Sequence, residues 1–123
     1  MNKVSLNFHL TENSRKIAYK KLEGKSTEEP GILFLGGLSS DMEGTKAKFL
    51  EDWCRSRGNT FVRFDYSGHG RSEGVFTDGS ILTWSEDALS VLDNLTNKKQ
   101  ILIGSSMGGW IALILAKKRP KKI

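Results

Sequence analysis

The sequence predicts an α/β fold in which an antiparallel hairpin leads into a mostly parallel sheet with flanking helices. An alternating apolar and polar pattern near the start of the chain predicts the hairpin. Short, continuous apolar runs predict strands that are buried on both faces, and helical periodicity fills the segments between them. Strands that alternate with helices in this way are typical of parallel sheets.

Residues 3–22 are expected to form the hairpin. Residues 4–10 alternate apolar and polar side chains, which is typical of a half-buried strand. Residues 11–14 have the polar composition of a tight turn. From Ile17 onward the alternation resumes, and it predicts a second strand that ends near residue 22.

The central strands and helices follow in alternation. The strands are expected at residues 32–35, 60–64 and 101–103, and the helices at about 44–57, 81–95 and 107–118. Gly58 stands where a glycine commonly ends a helix, and Pro120 blocks continuation of the last one. Because this last helix is apolar on nearly all sides, it should be deeply buried. Packing roles are also expected for the residues at helical spacing on the apolar faces: Trp53, Cys54, Trp84 and Trp110.

Length and charge exclude several classes of function. A chain of 123 residues allows one domain, residues 1–123. Its longest nearly apolar stretch, 107–116, is shorter than the ~20 residues that cross a bilayer.

Five of the 19 cations lie at 117–122, and the remaining 14 balance 14 acidic residues. The basic tail is interpreted as a solvated helix end, with a patch for nucleic acid or anionic membrane as the alternative.

The expected cellular location is the cytoplasm. The single cysteine, Cys54, cannot form an intramolecular disulfide, which fits a reducing compartment. No secretory leader is recognisable at the start of the sequence.

The strongest chemical signal is the segment Gly104-Ser105-Ser106-Met107-Gly108, which has the pattern G-x-S-x-G. It follows a predicted strand and opens a predicted helix, and this is the context in which the pattern forms a nucleophile elbow. The turn is so sharp that small residues are needed two positions on either side of the serine. Ser106 is therefore the candidate nucleophile, at a helix N-terminus that favours a developing anion. An ordinary glycine-rich turn is the alternative.

A glycine-rich segment at 36–41 follows the first central strand. In an enzyme built on such an elbow, one oxyanion donor is the N–H of the residue after the nucleophile, here Met107. The other donor comes from the loop after an earlier strand, and Leu38 has that position. In the same loop, Ser40 or Asp41 is expected to cap the following helix.

A second glycine-rich segment, 65–72, follows the strand that ends near residue 64. Asp65 is interpreted as a residue that organises this loop, with an acid of a catalytic triad as the alternative. His69 lies between two glycines, where a catalytic histidine would be poorly held, so no catalytic role is expected for it. Neither a phosphate-binding glycine motif nor a Cys/His cluster for a metal occurs in the sequence.

These segments together resemble the α/β-hydrolase family. Within it they are most similar to the mitochondrial palmitoyl-protein thioesterases, also described as acyl-glucuronide esterases, and their bacterial relatives. The segments 38–46, 63–68 and 104–110 carry the resemblance, which covers about residues 17–123.

The resemblance implies hydrolysis of a small acyl ester or thioester, or of an acylated protein, through an acyl-serine. Ser106 would be the nucleophile, and the N–H groups of Leu38 and Met107 would hold the oxyanion. No metal or organic cofactor would be needed. Neither nucleic acid nor a membrane is expected as a partner, because the charges balance outside the basic tail and no apolar stretch is long enough to span a bilayer.

The chain departs from the family after the elbow. The family's order is Ser, then Asp or Glu, then His, but the 17 residues after Ser106 contain none of these acids or bases. We therefore expect the N-terminal half of a hydrolase, inactive or incomplete by itself. It would need a C-terminal half polypeptide, or would self-associate through the exposed sheet edge of residues 100–104. The alternatives are a non-catalytic remnant or interaction module, and nucleic-acid binding through the basic tail.

Overall fold

One mixed sheet organises the chain in the computed structural model, which describes residues 4–123. The strands of this sheet are β1 (Asn7–Leu10), β2 (Lys16–Leu22), β3 (Gly31–Leu35), β4 (Phe61–Phe64) and β5 (Gln100–Gly104). The helices are α1 (Thr45–Arg57), α2 (Ile81–Leu95) and α3 (Met107–Lys118). The strand order is β1-β2-β4-β3-β5. The predicted α/β architecture is therefore confirmed, with element boundaries close to those expected.

The hairpin joins the parallel part of the sheet through β2. β1 pairs with β2 and β2 with β4, both antiparallel, whereas β3 runs parallel to both β4 and β5. β1 begins only at Asn7, later than predicted, and Lys3 of the predicted hairpin lies outside the described residues. The carboxyl ends of β3, β4 and β5 consequently meet at one edge of the sheet, where ligands bind in such folds.

Each face of the sheet has its own core. Leu33 and Leu35 of β3 face a cluster that includes α2 and α3, while Ile32 and Phe34 face a cluster that includes α1. Every residue of β3 is buried. The continuous apolar run of β3 is thus explained, because a strand covered on both faces has no solvent side for polar residues.

The ends of α1 differ in how well the sequence predicts them. Gly58 ends the helix as expected, with a left-handed φ of 83° and its N–H donated to the Cys54 carbonyl. The prediction that Ser40 or Asp41 caps the start is wrong, because Gly44 occupies the N-cap position and no side chain caps it. The Asp41 carboxylate instead accepts the Glu43 N–H at 2.9 Å, which closes a local turn before the helix begins.

One side of α3 and the outer edge of β5 are uncovered by the described residues. Trp110 is 58% and Leu113 72% exposed, and Ile101 of β5 is also exposed. The expected deep burial of α3 is therefore wrong on this side, because no element among residues 4–123 packs there. The expected packing roles hold for Trp84 and Cys54, which are buried, but fail for Trp53 and Trp110.

The basic tail is partly tied to α2 rather than fully solvated. Arg119 and Lys122 both bind the Asp93 carboxylate, at 2.9 and 2.8 Å. Burial works against the charged form of Asp93, but the hydrogen bonds from these two cations hold its pKa below the ordinary value. None of the helices that the structure describes has the length and apolar content needed to cross a membrane.

Cys54 provides a test of the α1 core. Burial, followed by the negative charge of Glu51, raises the pKa of this thiol to about 11, and the side chain is fully buried. At pH 8 we expect it to react with a disulfide reagent at least about a hundredfold more slowly than the urea-unfolded chain. In a Cys54→Ala background, Ser56→Cys places a thiol on the exposed side of α1 and should react freely. Equal rates for the two thiols would contradict this packing.

Candidate active site

The candidate nucleophile stands on a strained turn between β5 and α3. Ser106 is at the N-cap of α3 with φ 57° and ψ −117°, a conformation that non-glycine residues rarely adopt. A Cβ on Gly104 would overlap the backbone of Gly108, and one on Gly108 would overlap the Leu35 carbonyl. Both glycines are thus required by the close approach of α3 to the sheet, which is the condition the G-x-S-x-G pattern predicts.

The turn is fixed to the neighbouring strand by a backbone hydrogen bond. The Ser105 N–H donates to the Leu35 carbonyl at 3.0 Å. The segment 36–42, which we name the oxyanion loop, leaves β3 at the same point. A Cβ added to Gly37 would stand 3.6 Å from the Cβ of Ser106, so this loop passes directly beside the candidate nucleophile.

Two N–H groups near Ser106 are available to an oxyanion. Among residues 4–123, neither the Leu38 N–H nor the Met107 N–H donates to any protein acceptor. Met107 is the first residue of α3, where N–H groups have no partner within the helix. Leu38 follows Gly37 in the loop beside Ser106. Both predicted donors are therefore without an acceptor among the described residues, and the loop that carries Leu38 passes beside Ser106.

The loop of residues 65–72 after β4, named here the support loop, fixes the oxyanion loop through three side chains. Asp65 accepts the Met42 N–H at 2.7 Å, and the Tyr66 hydroxyl donates to the Gly36 carbonyl at 2.9 Å. His69 accepts the Ser39 N–H on Nε2 at 3.1 Å. The oxyanion loop is thus held at its beginning, middle and end.

Asp65 organises both loops, in agreement with its interpretation from the sequence. Its second carboxylate oxygen accepts the Arg71 N–H at 2.9 Å, and a Cβ on Gly70 would overlap the carboxylate. Burial raises the pKa of Asp65, while the hydrogen bonds from the Arg71 and Met42 N–H groups oppose the rise. The carboxylate therefore serves as a structural acceptor beneath the loops.

A lysine not identified from the sequence lies next to the elbow. The Lys46 ammonium, in the first turn of α1, lies 3.0 Å from the Ser105 hydroxyl. It brings a positive charge to the residue that precedes the candidate nucleophile. No sequence pattern indicated it, because the contact joins residues far apart in the chain.

An apolar cleft opens beside the elbow, between α1 and the edge strand β5. Its volume is about 600 Å³, which falls within the range of small-molecule sites. The lining is formed by Phe34, Thr45, Lys46, Phe49, Leu50, Ile103, Gly104 and Ser105. Four of these eight residues, two phenylalanines, a leucine and an isoleucine, are apolar, and the cleft opens at the edge of the sheet that β5 forms.

The described residues do not supply a base for Ser106. Its hydroxyl has no hydrogen-bond partner among residues 4–123. His9 contacts the Ser90 hydroxyl at 2.8 Å and joins the hairpin to α2. His69 uses both ring nitrogens on backbone groups. In the part of the chain that the structure describes, no group of three or more acidic, His or Cys side chains is arranged to hold a metal ion.

Known proteins match the chain by family, by sequence and by structure. A family model described as Hydrolase_4, serine aminopeptidase S33, matches residues 32–123. The mitochondrial palmitoyl-protein thioesterase ABHD10 of Homo sapiens is 46% identical over 121 residues, covering 98% of this chain and 39% of that protein. The chain therefore spans about two fifths of the length of such curated relatives.

Solved structures also match nearly the whole of this chain. Alpha/beta hydrolase domain-containing protein 10 from mouse superposes with a TM-score of 0.90 at 45% identity, covering 96% of this chain and 46% of that chain. The thioesterase domain from the curacin biosynthetic pathway superposes with a TM-score of 0.83 at 28% identity, covering 99% of this chain and 42% of that chain.

The elbow geometry predicts opposite effects for two adjacent glycines. Gly108→Ala should lower the free energy of unfolding by about 3 kcal/mol or more, because its Cβ would meet the backbone of β3. Gly109→Ala is the matched control, since its Cβ would lie 3.8 Å from the Gly104 carbonyl oxygen and alanine favours helix by about 0.5–1 kcal/mol. Urea unfolding followed by circular dichroism measures both, and equal stability of the two variants would contradict the close approach.

Proposed function

The chain belongs to the α/β-hydrolase family, and from this membership we propose that it supplies the nucleophile and oxyanion donors of a serine hydrolase. The proposed substrates are acyl esters or thioesters. The observation that carries the proposal is the strained Ser106 beside the unpaired N–H groups of Leu38 and Met107. Strain of this kind persists only where the surrounding structure imposes it, and it commonly marks a functional residue.

In the proposed reaction, the Ser106 hydroxyl oxygen attacks the acyl carbonyl as a base removes its proton. The N–H groups of Leu38 and Met107 stabilise the resulting oxyanion. The carbon–oxygen or carbon–sulfur bond to the leaving group then breaks, and the leaving alcohol or thiol receives a proton. Water hydrolyses the acyl-serine in a second, equivalent attack.

The substrate proposed here is an apolar acyl chain on a thioester or ester. The apolar cleft beside Ser105 supports an acyl group more than a polar one. The names of the relatives add support, since ABHD10 is called a palmitoyl-protein thioesterase. The name of ABHD10 also includes the word mitochondrial. A cytoplasmic location for this chain stays a prediction.

The base and its acid partner are proposed to come from a polypeptide segment that packs on β5 and α3. Hydrolases of this family order their catalytic residues along the chain as Ser, acid and His, and positions 107–123, which follow Ser106 here, hold no Asp, Glu or His. The uncovered Trp110 and Leu113 and the free edge of β5 support a partner there. The same exposed surface also favours the second candidate function, an interaction module without catalysis.

Complementation distinguishes the two functions. The chain is co-expressed with the C-terminal portion of an ABHD10 relative, beginning after the region matched here, and hydrolysis of S-acyl and p-nitrophenyl acyl substrates is measured. We expect turnover that Ser106→Ala lowers by about 10⁴-fold or more, because no other group attacks the carbonyl. Ser56→Ala, on the exposed side of α1, is the matched control and should retain full activity. Turnover that survives Ser106→Ala would refute the proposal, and absence of turnover under all complementation would favour the interaction module.

The uncovered surface predicts self-association of the chain alone. Size-exclusion chromatography with light scattering should show species larger than the monomer. Leu113→Lys places a charge on the uncovered side of α3 and should shift the population toward monomer. Leu82→Lys changes an exposed leucine on α2 and should have no such effect. A stable monomer of the unchanged chain would contradict this prediction.

A further inference from the structure

We propose that His69 is a positioning residue, which holds the oxyanion loop in its anion-binding conformation as a neutral imidazole protonated on Nδ1. The inference rests on the proposed function, because it assigns His69 to the loop that presents the Leu38 N–H. His69 is only 4% exposed, in the middle of the support loop. Its ring contacts the oxyanion loop at Ser39, the residue after Leu38.

The hydrogen-bond partners determine the tautomer. Nδ1 lies 3.1 Å from the Ser67 carbonyl oxygen, which can only accept, so Nδ1 must carry a proton. Nε2 lies 3.1 Å from the Ser39 nitrogen, whose N–H can only donate, so Nε2 must be unprotonated. If both ring nitrogens carried a proton, the Nε2–H would point at the Ser39 N–H, and two donors would face each other. The contact with Ser39 therefore exists only while Nε2 is free to accept.

The contact fixes a backbone conformation that would otherwise be unfavourable. Ser39 has a φ of 62°, in the left-handed region, which is unfavourable for a non-glycine residue. A hydrogen bond to a buried acceptor offsets this cost and leaves the loop a single conformation. Gly36, at the start of the loop, is held in turn by the Tyr66 hydroxyl.

These two contacts enclose the peptide that would bind the oxyanion. Tyr66 fixes the peptide unit between residues 36 and 37, and His69 fixes the unit between Leu38 and Ser39. The unit between them presents the Leu38 N–H. With both neighbouring units fixed, this N–H keeps its direction before substrate arrives, so no reorganisation is needed as charge develops.

An aromatic cage holds the imidazole ring itself. Ring centroids of Tyr66, Phe76 and Trp84 lie 5.5, 5.2 and 5.1 Å from that of His69. The Trp84 indole N–H also donates to the Ser67 carbonyl that His69 uses. A purely structural role would require only a ring that fills this cage, whereas the proposed role requires the acceptor on Nε2.

Two variants distinguish the contribution of the His69 ring, which fills the aromatic cage, from that of the hydrogen-bond acceptor on Nε2. His69→Phe keeps an aromatic ring in the cage and removes the acceptor. His69→Gln supplies an amide oxygen near the position of Nε2 and removes the ring. His9→Phe is the matched control, because His9 joins the hairpin to Ser90 of α2 and has no part in the loop.

Nuclear magnetic resonance of the chain provides the readout that needs no catalysis. The ring ¹⁵N shifts of His69 should identify Nδ1 as protonated and Nε2 as unprotonated. The Ser39 amide should exchange with solvent about tenfold faster in His69→Phe, while His69→Gln and His9→Phe leave its exchange nearly unchanged. A proton on Nε2, or unchanged Ser39 exchange in His69→Phe, would overturn the proposal.

The kinetic readout uses the complemented hydrolase. We expect His69→Phe to lower kcat about 10- to 100-fold with little change in KM, because the donor acts on the transition state more than on bound substrate. His69→Gln should recover most of kcat. Equal losses in the two variants would overturn the assignment. If Ser106-dependent turnover is absent from the complemented protein, the proposed function fails, and the Ser39 exchange alone decides the role of His69.

Discussion

The close approach of α3 to β3 is the constraint on which the rest of the site depends. Gly108 has no room for a Cβ against the Leu35 carbonyl, and that same carbonyl accepts the Ser105 N–H. These contacts set the sharp turn at Ser106 and start α3 at the end of β5. Because the oxyanion loop begins at the next residue after Leu35, one backbone position determines where nucleophile and loop meet.

Buried side chains of the support loop fix the rest of the oxyanion loop, whose starting point is set by this backbone contact. Asp65, Tyr66 and His69 lie close together in the support loop, yet each bonds a different part of the oxyanion loop. Burial makes such contacts specific, since a polar group left unpaired inside the protein is costly. The support loop thereby converts a flexible glycine-rich segment into a fixed one. Its residues act on the site through the backbone of the oxyanion loop, to which their hydrogen bonds are made.

The sequence predicted local features well and long-range contacts poorly. Apolar runs, helical periodicity and Gly58 predicted the strands, helices and the end of α1, because each depends on neighbouring residues. The elbow was also predicted, since its pattern and context lie within one short segment. The bond from Ser39 to His69 and the place of Lys46 were not, because distant segments must meet to form them. The exposure of Trp110 was missed for a related reason: periodicity shows which face is apolar but not whether another element covers it.

The strand order has a consequence for how the chain acquires its shape during synthesis. β3 lies between β4 and β5, and β5 is the last of these strands to leave the ribosome. Until it emerges, one edge of β3 has no partner, and the Leu35 carbonyl cannot receive the Ser105 N–H. The nascent chain therefore exposes an apolar strand edge until residues 100–104 have emerged, a state prone to wrong pairing. Assembly of the nucleophile turn is accordingly a late event, and its timing is set by topology rather than by local sequence.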